Sequence, residues 1–450
     1  MSLLPELSPE EILDLSKKHN FWTWSAQARV RPIPVTRAEG VYFWDAQGTR
    51  YLDFNSMVMC SNIGHGDPRV IEAIAEQART LAFAGPGMAT APRALLGRML
   101  AEVTPGDLNR FLFTLGGADA NEHALRLARL YTGRPKVLAR YRSYHGATAG
   151  ALAATGDPRR WAAGPPELPG VVHFLDPYRY RSVFHREREV SEARFCQDYL
   201  DHLEEILTLE GPETVAAVLL ETVTGTNGVI IPPPGYLEGV RTLCDRYGVL
   251  LICDEVMSGF GRTGAWFAVD HWKVAPDLMT MAKGLTSGYA PLGAVAMREK
   301  IAAFFDDRPY PGGLTYNGHP ISLAAAAANL QVMHDDGLVE RARALGPALA
   351  RHLHELGEAH RAVGEVRSIG LFGVIELVRD RRTREPLAPF NASSREMEAV
   401  RAQLLASGVF LYTHWHTLLI LPPLIITEEQ LAEGFAAIDK ALEIADRAAR

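Results

Sequence analysis

Short apolar runs alternate with amphipathic stretches through the middle of the chain. Val215–Glu221, Val249–Cys253 and Gly293–Met297 are brief and apolar, with turn signals at their ends, as buried strands are. Arg110–Leu115 and Lys136–Arg140 read as further strands. Between them, Ala120, Ala124, Leu127, Ala128 and Tyr131 repeat at helical spacing, with Gly133 as the stop. Phe195–Leu209 and Tyr236–Tyr247 predict two more helices. Strand and helix in alternation from 110 to 297 predict an α/β fold, a mostly parallel sheet with helices on both faces.

The flanks read differently. Ser8, Pro9 and Glu11 form a helix start over Pro9–Ser16. Val41–Trp44 and Arg50–Phe54 predict a hairpin, and Pro68–Ala82, Leu95–Val103 and Pro320–Met333 predict helices. After residue 335, helices at Val339–Glu358, Ser394–Ser407 and from Thr427 mix with strands at Val363–Ser368, Gly373–Val378, Val409–Leu411 and Leu418–Leu421, an α+β pattern. The expected division is an N-terminal segment 1–75 belonging to a smaller domain, a large domain 76–334, and a small α+β domain 335–450. The Gly/Ala-rich 146–157 stretch reads as turns. The Asp176–Arg194 stretch reads as a solvated insertion, its arginines diluted by Glu187, Glu189 and Glu192.

Composition narrows the class. The 450 residues are 47% apolar and 22% charged, ordinary for a globular chain with a large core. The net charge of -7 argues against nucleic acid or an anionic membrane as a partner. Four scattered cysteines without a CxxC argue against a disulfide framework or a zinc site and for a reducing, cytoplasmic setting. No signal peptide or membrane-length apolar run is expected. The His352/His354 and His414/His416 pairs lack further spaced ligands, so no metal is expected.

The candidate chemistry lies at strand ends, where open α/β sheets bind ligands. Asp254 and Val256 face one way past the strand Val249–Cys253, and Glu255 faces the other. Lys283 follows within Ala-Lys-Gly. A lysine for a Schiff base, a carboxylate to protonate a pyridine nitrogen and a small apolar side chain to pack on its ring are what pyridoxal phosphate chemistry needs. Gly116-Gly117-Ala118 at a helix start offers free N–H groups to a phosphate. Tyr144 or His145 could stack on a planar ligand, and Glu221 ends its strand as Asp254 ends the next. Phe21, Trp22 and Trp24 are read as core or interface anchors, or as a substrate-pocket wall.

Five stretches, FLFTLGGADANEHALRLAR, YRSYHGAT, LLICDEVMSGFGRTG, PDLMTMAKG and LTYNGHP, together resemble the class III (ω-amino acid) aminotransferases of pyridoxal phosphate fold type I. MCSNIGH, GTNGVIIPPP and LPPLIIT make the chain similar to the taurine–2-oxoglutarate and taurine–pyruvate subgroup. The resemblance implies a ping-pong transfer of an amino group from an ω-amino acid or taurine-like amine to pyruvate or 2-oxoglutarate. It gives Lys283 and Asp254 the catalytic roles, has Val256 and Tyr144 sandwich the ring, Gly117 and Ala118 hold the phosphate, and Glu221 stand near the ring. Thr315 would reach the phosphate in a neighbouring subunit, implying a homodimer with sites at the interface and leaving a dimer of dimers open. Trp24, Met59 and Tyr144 would line the substrate pocket. The sequence departs from the family pattern at Ala118, where a hydroxyl is usual, and at Thr222-Val223-Thr224. Tyr412 stands where many relatives carry a carboxylate-binding arginine, which counts it among the pocket residues and leaves the acceptor's carboxylate without a partner. The altered segment and absent arginine also keep an aminomutase or decarboxylase on the same fold as the alternative.

Overall fold

The computed structural model describes residues 7–162, 164, 168–186 and 189–450. Its centre is a seven-stranded sheet. The order across it is Leu108–Thr114, Gly293–Arg298, Leu278–Met281, Leu250–Asp254, Val215–Glu221, Lys136–Arg140 and Val171–Phe174. Only Gly293–Arg298 runs against its neighbours; the other pairings are parallel. Every residue of the strands Val215–Glu221, Leu250–Asp254 and Leu278–Met281 is buried, as a sheet covered on both faces requires. The fold is that of a mixed α/β protein with a parallel-rich sheet flanked by helices.

The two chain ends meet. Val35–Glu39, Tyr42–Asp45 and Arg50–Asp53 form an antiparallel ladder, and Val409–Phe410 adds to it in parallel, Val409 opposite Leu52. A separate antiparallel sheet contains Val363–Ile369, Phe372–Asp380, Thr417–Ile420 and Tyr412–His414. The helices Leu338–Ala359, Arg395–Ala406 and Glu428–Ala448 accompany it. The first helix runs Pro9–His19 with the reciprocal cap between Ser8 and Glu11 in place.

Two expectations fail for tertiary reasons. The 146–157 stretch contains the helix Ala149–Ala154. Its start is capped from outside: Glu122 accepts from Gly150 N at 2.8 Å and Ala151 N at 3.0 Å. The Asp176–Arg194 stretch is not a solvated insertion. Asp176, Tyr178 and Ser182 are buried, and the helix Glu192–Glu210 begins inside it. Tyr178 and Arg181 both bond Glu376, on the buried strand of the second sheet, so the segment joins the two sheets. Glu187 lies outside the described residues. Among them, no helix is long and apolar enough to cross a membrane.

Candidate active site

A cavity of about 170 Å³ opens at the carboxyl ends of the central strands. Gly117, Ala118, Tyr144, Glu221, Asp254, Val256 and Lys283 all line it. Strand alternation explains the split between the paired acids. Asp254 and Val256 face the cavity, while Glu255 turns into the protein. There Glu255 accepts from Thr222, Ser258, Ala268 N and Val269 N. Burial nevertheless pushes its pKa up to about 7.

Asp254 is fixed by three groups. Its Oδ2 meets Asn121 Nδ2 at 2.7 Å and His145 Nδ1 at 2.8 Å, and its Oδ1 accepts from Val256 N at 2.9 Å. Asn121 is held in turn, its Oδ1 accepting from Thr280 at 2.8 Å. His145 is thus a partner of the carboxylate, and Tyr144 is the ring beside the cavity. Glu221 ties the loops together: Oε1 accepts from Tyr144 N at 2.9 Å and Oε2 from Gly225 N at 2.7 Å. Burial, aided by the charge of Asp254, raises its pKa. A Cβ on Gly225 would lie 2.0 Å from Met257 Sδ, so a larger residue here would have to displace the end of the Met257 side chain.

The helix Gly117–Thr132 points its amino end at the cavity, and no side chain caps it. Its first N–H groups are therefore free for an anion. A Cβ at Gly117 would come within 2.8 Å of Val256 Cγ1, which closes the space between phosphate cradle and ring wall to anything but glycine. Lys283 starts a short turn with φ at 45°, a left-handed conformation that costs about 1 kcal/mol or more for a non-glycine residue.

Behind Met257, four successive residues are left-handed: Ser56, Met57, Val58 and Met59, with φ of 47°, 44°, 62° and 63°. Asp53 Oδ1 holds this turn through Asn55 N and Met57 N. Met59 is thereby buried among Val223, Met257 and Leu421, with Tyr412 packed on the same cluster. Met257 connects that cluster to the cavity wall. Trp24 is 70% exposed and Thr315 is exposed; neither lines the cavity of its own chain.

Sequence reasoning missed Arg159. Its guanidinium carbon lies 3.8 Å from the Tyr144 ring centroid. Nε reaches both Asp157 oxygens, at 3.0 and 2.9 Å, and Nη2 bonds Asp157 and Thr226. Among the described residues no acceptor meets Nη1. Burial, the largest single influence, works against the charge, but the Asp157 hydrogen bond, the Asp157 charge and the Tyr412 and Tyr144 hydroxyls together raise the pKa. Asp157-Pro-Arg reads in sequence as an ordinary loop, and nothing in it signals the stack on Tyr144. Asn121 was findable, since it lies one helical turn beyond Gly117 on the same face. Among the described residues, no group of three or more His, Cys, Asp or Glu side chains could hold a metal ion.

Comparison with known proteins adds four findings. The model of the family "Aminotransferase class-III" matches residues 24–442. A taurine–pyruvate aminotransferase of Bilophila wadsworthia is 34% identical, over 96% of each chain. A putrescine–pyruvate aminotransferase of Pseudomonas aeruginosa is also 34% identical, over 91% of this chain and 90% of the other. Among solved structures, a taurine:2-oxoglutarate aminotransferase of Bifidobacterium kashiwanohense, in complex with pyridoxal phosphate and glutamate, superposes with a TM-score of 0.95. It shares 43% identity over 99% of each chain.

Proposed function

The chain belongs to the class III aminotransferases, enzymes that use pyridoxal phosphate, and from that premise we propose that it takes its amino group from a primary amine with an acidic far end, taurine or a short ω-amino acid, and delivers it to pyruvate or 2-oxoglutarate. The observation that carries the substrate reading is Arg159, a half-buried cation beside Tyr144 whose Nη1 meets no acceptor among the described residues. The names of two relatives, which act on taurine, point the same way.

The residues present fit the cofactor: an uncapped helix start, a glycine that no larger residue can replace, a buried carboxylate and a lysine share one cavity. Bound there, pyridoxal phosphate supplies an aldehyde carbon that carries the amino group and a ring that withdraws electrons from the reacting carbon. In this reading Lys283 Nζ would hold the aldehyde covalently, and once freed by the incoming amine it would be the base that takes the proton from the donor carbon and the acid that gives one to the acceptor carbon in the second half of the cycle. Asp254, its geometry set by Asn121 and His145, keeps a proton on the pyridine nitrogen. Gly117 and Ala118 give backbone N–H groups to the phosphate, Val256 and Tyr144 bracket the ring, and Glu221 holds the Tyr144 backbone. Arg159 pairs with the acidic end of donor and acceptor alike, which accounts for a site without an arginine at 412.

We further read the chain as a homodimer. Thr315 is exposed beside Tyr316, and Phe21, Trp24, Phe83 and Met88 expose apolar surface. Thr315 and Trp24 then serve a neighbouring subunit's site, and Met59 and Tyr412 line the entrance. The division near residues 75 and 335, and a cytoplasmic setting suggested by four unpaired cysteines, belong to the same reading.

The test is the visible spectrum of the holoenzyme before and after taurine, then β-alanine. Conversion of the resting band to the aminated cofactor by either amine, and its return with one of the two oxo acids, supports the proposal. A band indifferent to both amines but responsive to a plain alkylamine overturns the acidic-donor reading.

A further inference from the structure

The strand Tyr412–His414 brings a second polar side chain toward Arg159. Alternate residues of a strand share a face. The Tyr412 and His414 rings lie 18° from parallel, centroids 6.1 Å apart, and Trp415 stacks on His414 at 4.1 Å. Both Tyr412 and His414 have Arg159 and Asp157 as charged neighbours, and Tyr412 borders Tyr144 as well. His416, the other histidine of the pair, turns away to Glu376 at 3.3 Å.

Nε2 of His414 is buried and, among the described residues, has no hydrogen-bond partner. An unsatisfied buried polar atom costs about 1–3 kcal/mol, so a native site that keeps one calls for an explanation. Burial first, and then the neighbouring guanidinium, push its pKa down to about 4. The ring is neutral at pH 7 and can donate a hydrogen bond without adding charge beside Arg159.

The donor count at Arg159 gives this nitrogen a use. Asp157 takes Nε and one side of Nη2, and Thr226 takes another Nη2 hydrogen at 3.1 Å. Only Nη1 remains, with hydrogens for at most two ligand oxygens. A carboxylate is satisfied by that. A sulfonate has three equivalent oxygens in a tetrahedral array and leaves one over.

We propose that His414 Nε2–H takes the third oxygen of a sulfonate held by Arg159, and so selects amino-sulfonates over amino-carboxylates of equal length. The proposal rests on the reading of Arg159 given above. It makes His414 a specificity-determining residue rather than a catalytic one.

Ethanesulfonate and propionate, unreactive and matched in length, separate the possibilities. Their dissociation constants are read from the holoenzyme's visible band and by calorimetry. His414→Phe keeps the ring stack and removes the N–H, while His414→Gln keeps an N–H donor. Wild-type enzyme is expected to prefer ethanesulfonate. H414F should weaken ethanesulfonate about tenfold and propionate within about twofold, with partial recovery in H414Q. The taurine to β-alanine ratio of kcat/KM should fall in step, with kcat for β-alanine unchanged. Equal weakening of both anions, or no weakening of either, overturns the proposal. If H414F fails to keep its cofactor, H414Q decides: a preserved preference for ethanesulfonate supports the proposal and a lost one overturns it. If Arg159→Ala leaves both anions bound as before, the Arg159 reading itself has failed. If that variant weakens both while H414F changes neither, only the role of His414 has.

Discussion

Asp254, Glu221 and Lys283 reach the cavity from three adjacent strands of one sheet, whereas Arg159, Tyr412 and His414 lie outside its lining, behind Tyr144, on a short helix and on a strand of a different sheet. The first group is anchored in strands buried along their whole length. The second depends on ring stacking and on one ion pair, Asp157–Arg159. Electron withdrawal by a cofactor needs fixed geometry, which a buried sheet supplies. Selection among amines needs only that a few loop and edge residues differ, and these can change without disturbing the sheet.

Substitutions at the sheet end should therefore act on the reaction itself, and those behind Tyr144 on the choice of substrate. The largest effect is expected from Lys283→Ala, which should lower turnover by about 10³-fold or more with every amine tested, measured in single-turnover spectra. Asp254→Asn comes next, with a loss of about 10²-fold in kcat for all donors and a shifted absorption band. If either loss depended on which donor was used, the contrast between the two groups would be wrong. Arg159→Ala should raise KM for taurine and β-alanine by about 10- to 100-fold, the worth of one charged hydrogen-bonded contact, while turnover of a plain alkylamine stays level. A similar loss with the alkylamine would return Arg159 to a structural role as the support of Tyr144.

The smallest effect sharpens the contrast between the neighbouring acids. Glu255 has its pKa pushed up to about 7, against an ordinary value of 4.5. Between those values the folded chain holds a proton that the unfolded chain has lost, so this residue's share of stability is complete below pH 4.5 and declines as pH rises through 7. Glu255→Gln should flatten that part of the Tm profile between pH 4.5 and 8 and leave the cofactor spectrum alone. An unchanged slope would show that the buried carboxyl stays charged through its four donors.

The same contrast explains what could be read from sequence. Apolar runs that end in acids are local signals, and they mark Asp254, Glu221 and the cavity-facing Val256. Lys283 stood out because Ala-Lys-Gly follows another short apolar strand. Arg159 did not, because its meaning comes from Tyr144, Thr226 and a strand of another sheet more than two hundred residues away in sequence. The left-handed turn at Ser56–Met59 was hidden for a related reason: no local preference favours it, and Asp53 and the surrounding core impose it. The burial of Asp176–Ser182 was misread because Tyr178 and Arg181 find their partner in Glu376 of the second sheet, and Asp176 in Arg140 and the Arg142 backbone.

Because Arg50–Asp53 finds its edge partner in Val409–Phe410, one ladder is divided between two events of synthesis, one before and one after the central strands are made. The residues of the central sheet leave the ribosome between those two events and can pair among themselves, while the early hairpin waits with an open edge. An open strand edge is a template for the wrong chain. A transcript cut short before residue 409 would therefore yield more than an inactive enzyme. It would yield a chain with its central strands in place and an adhesive margin, the kind of species that quality-control proteases and chaperones have to clear.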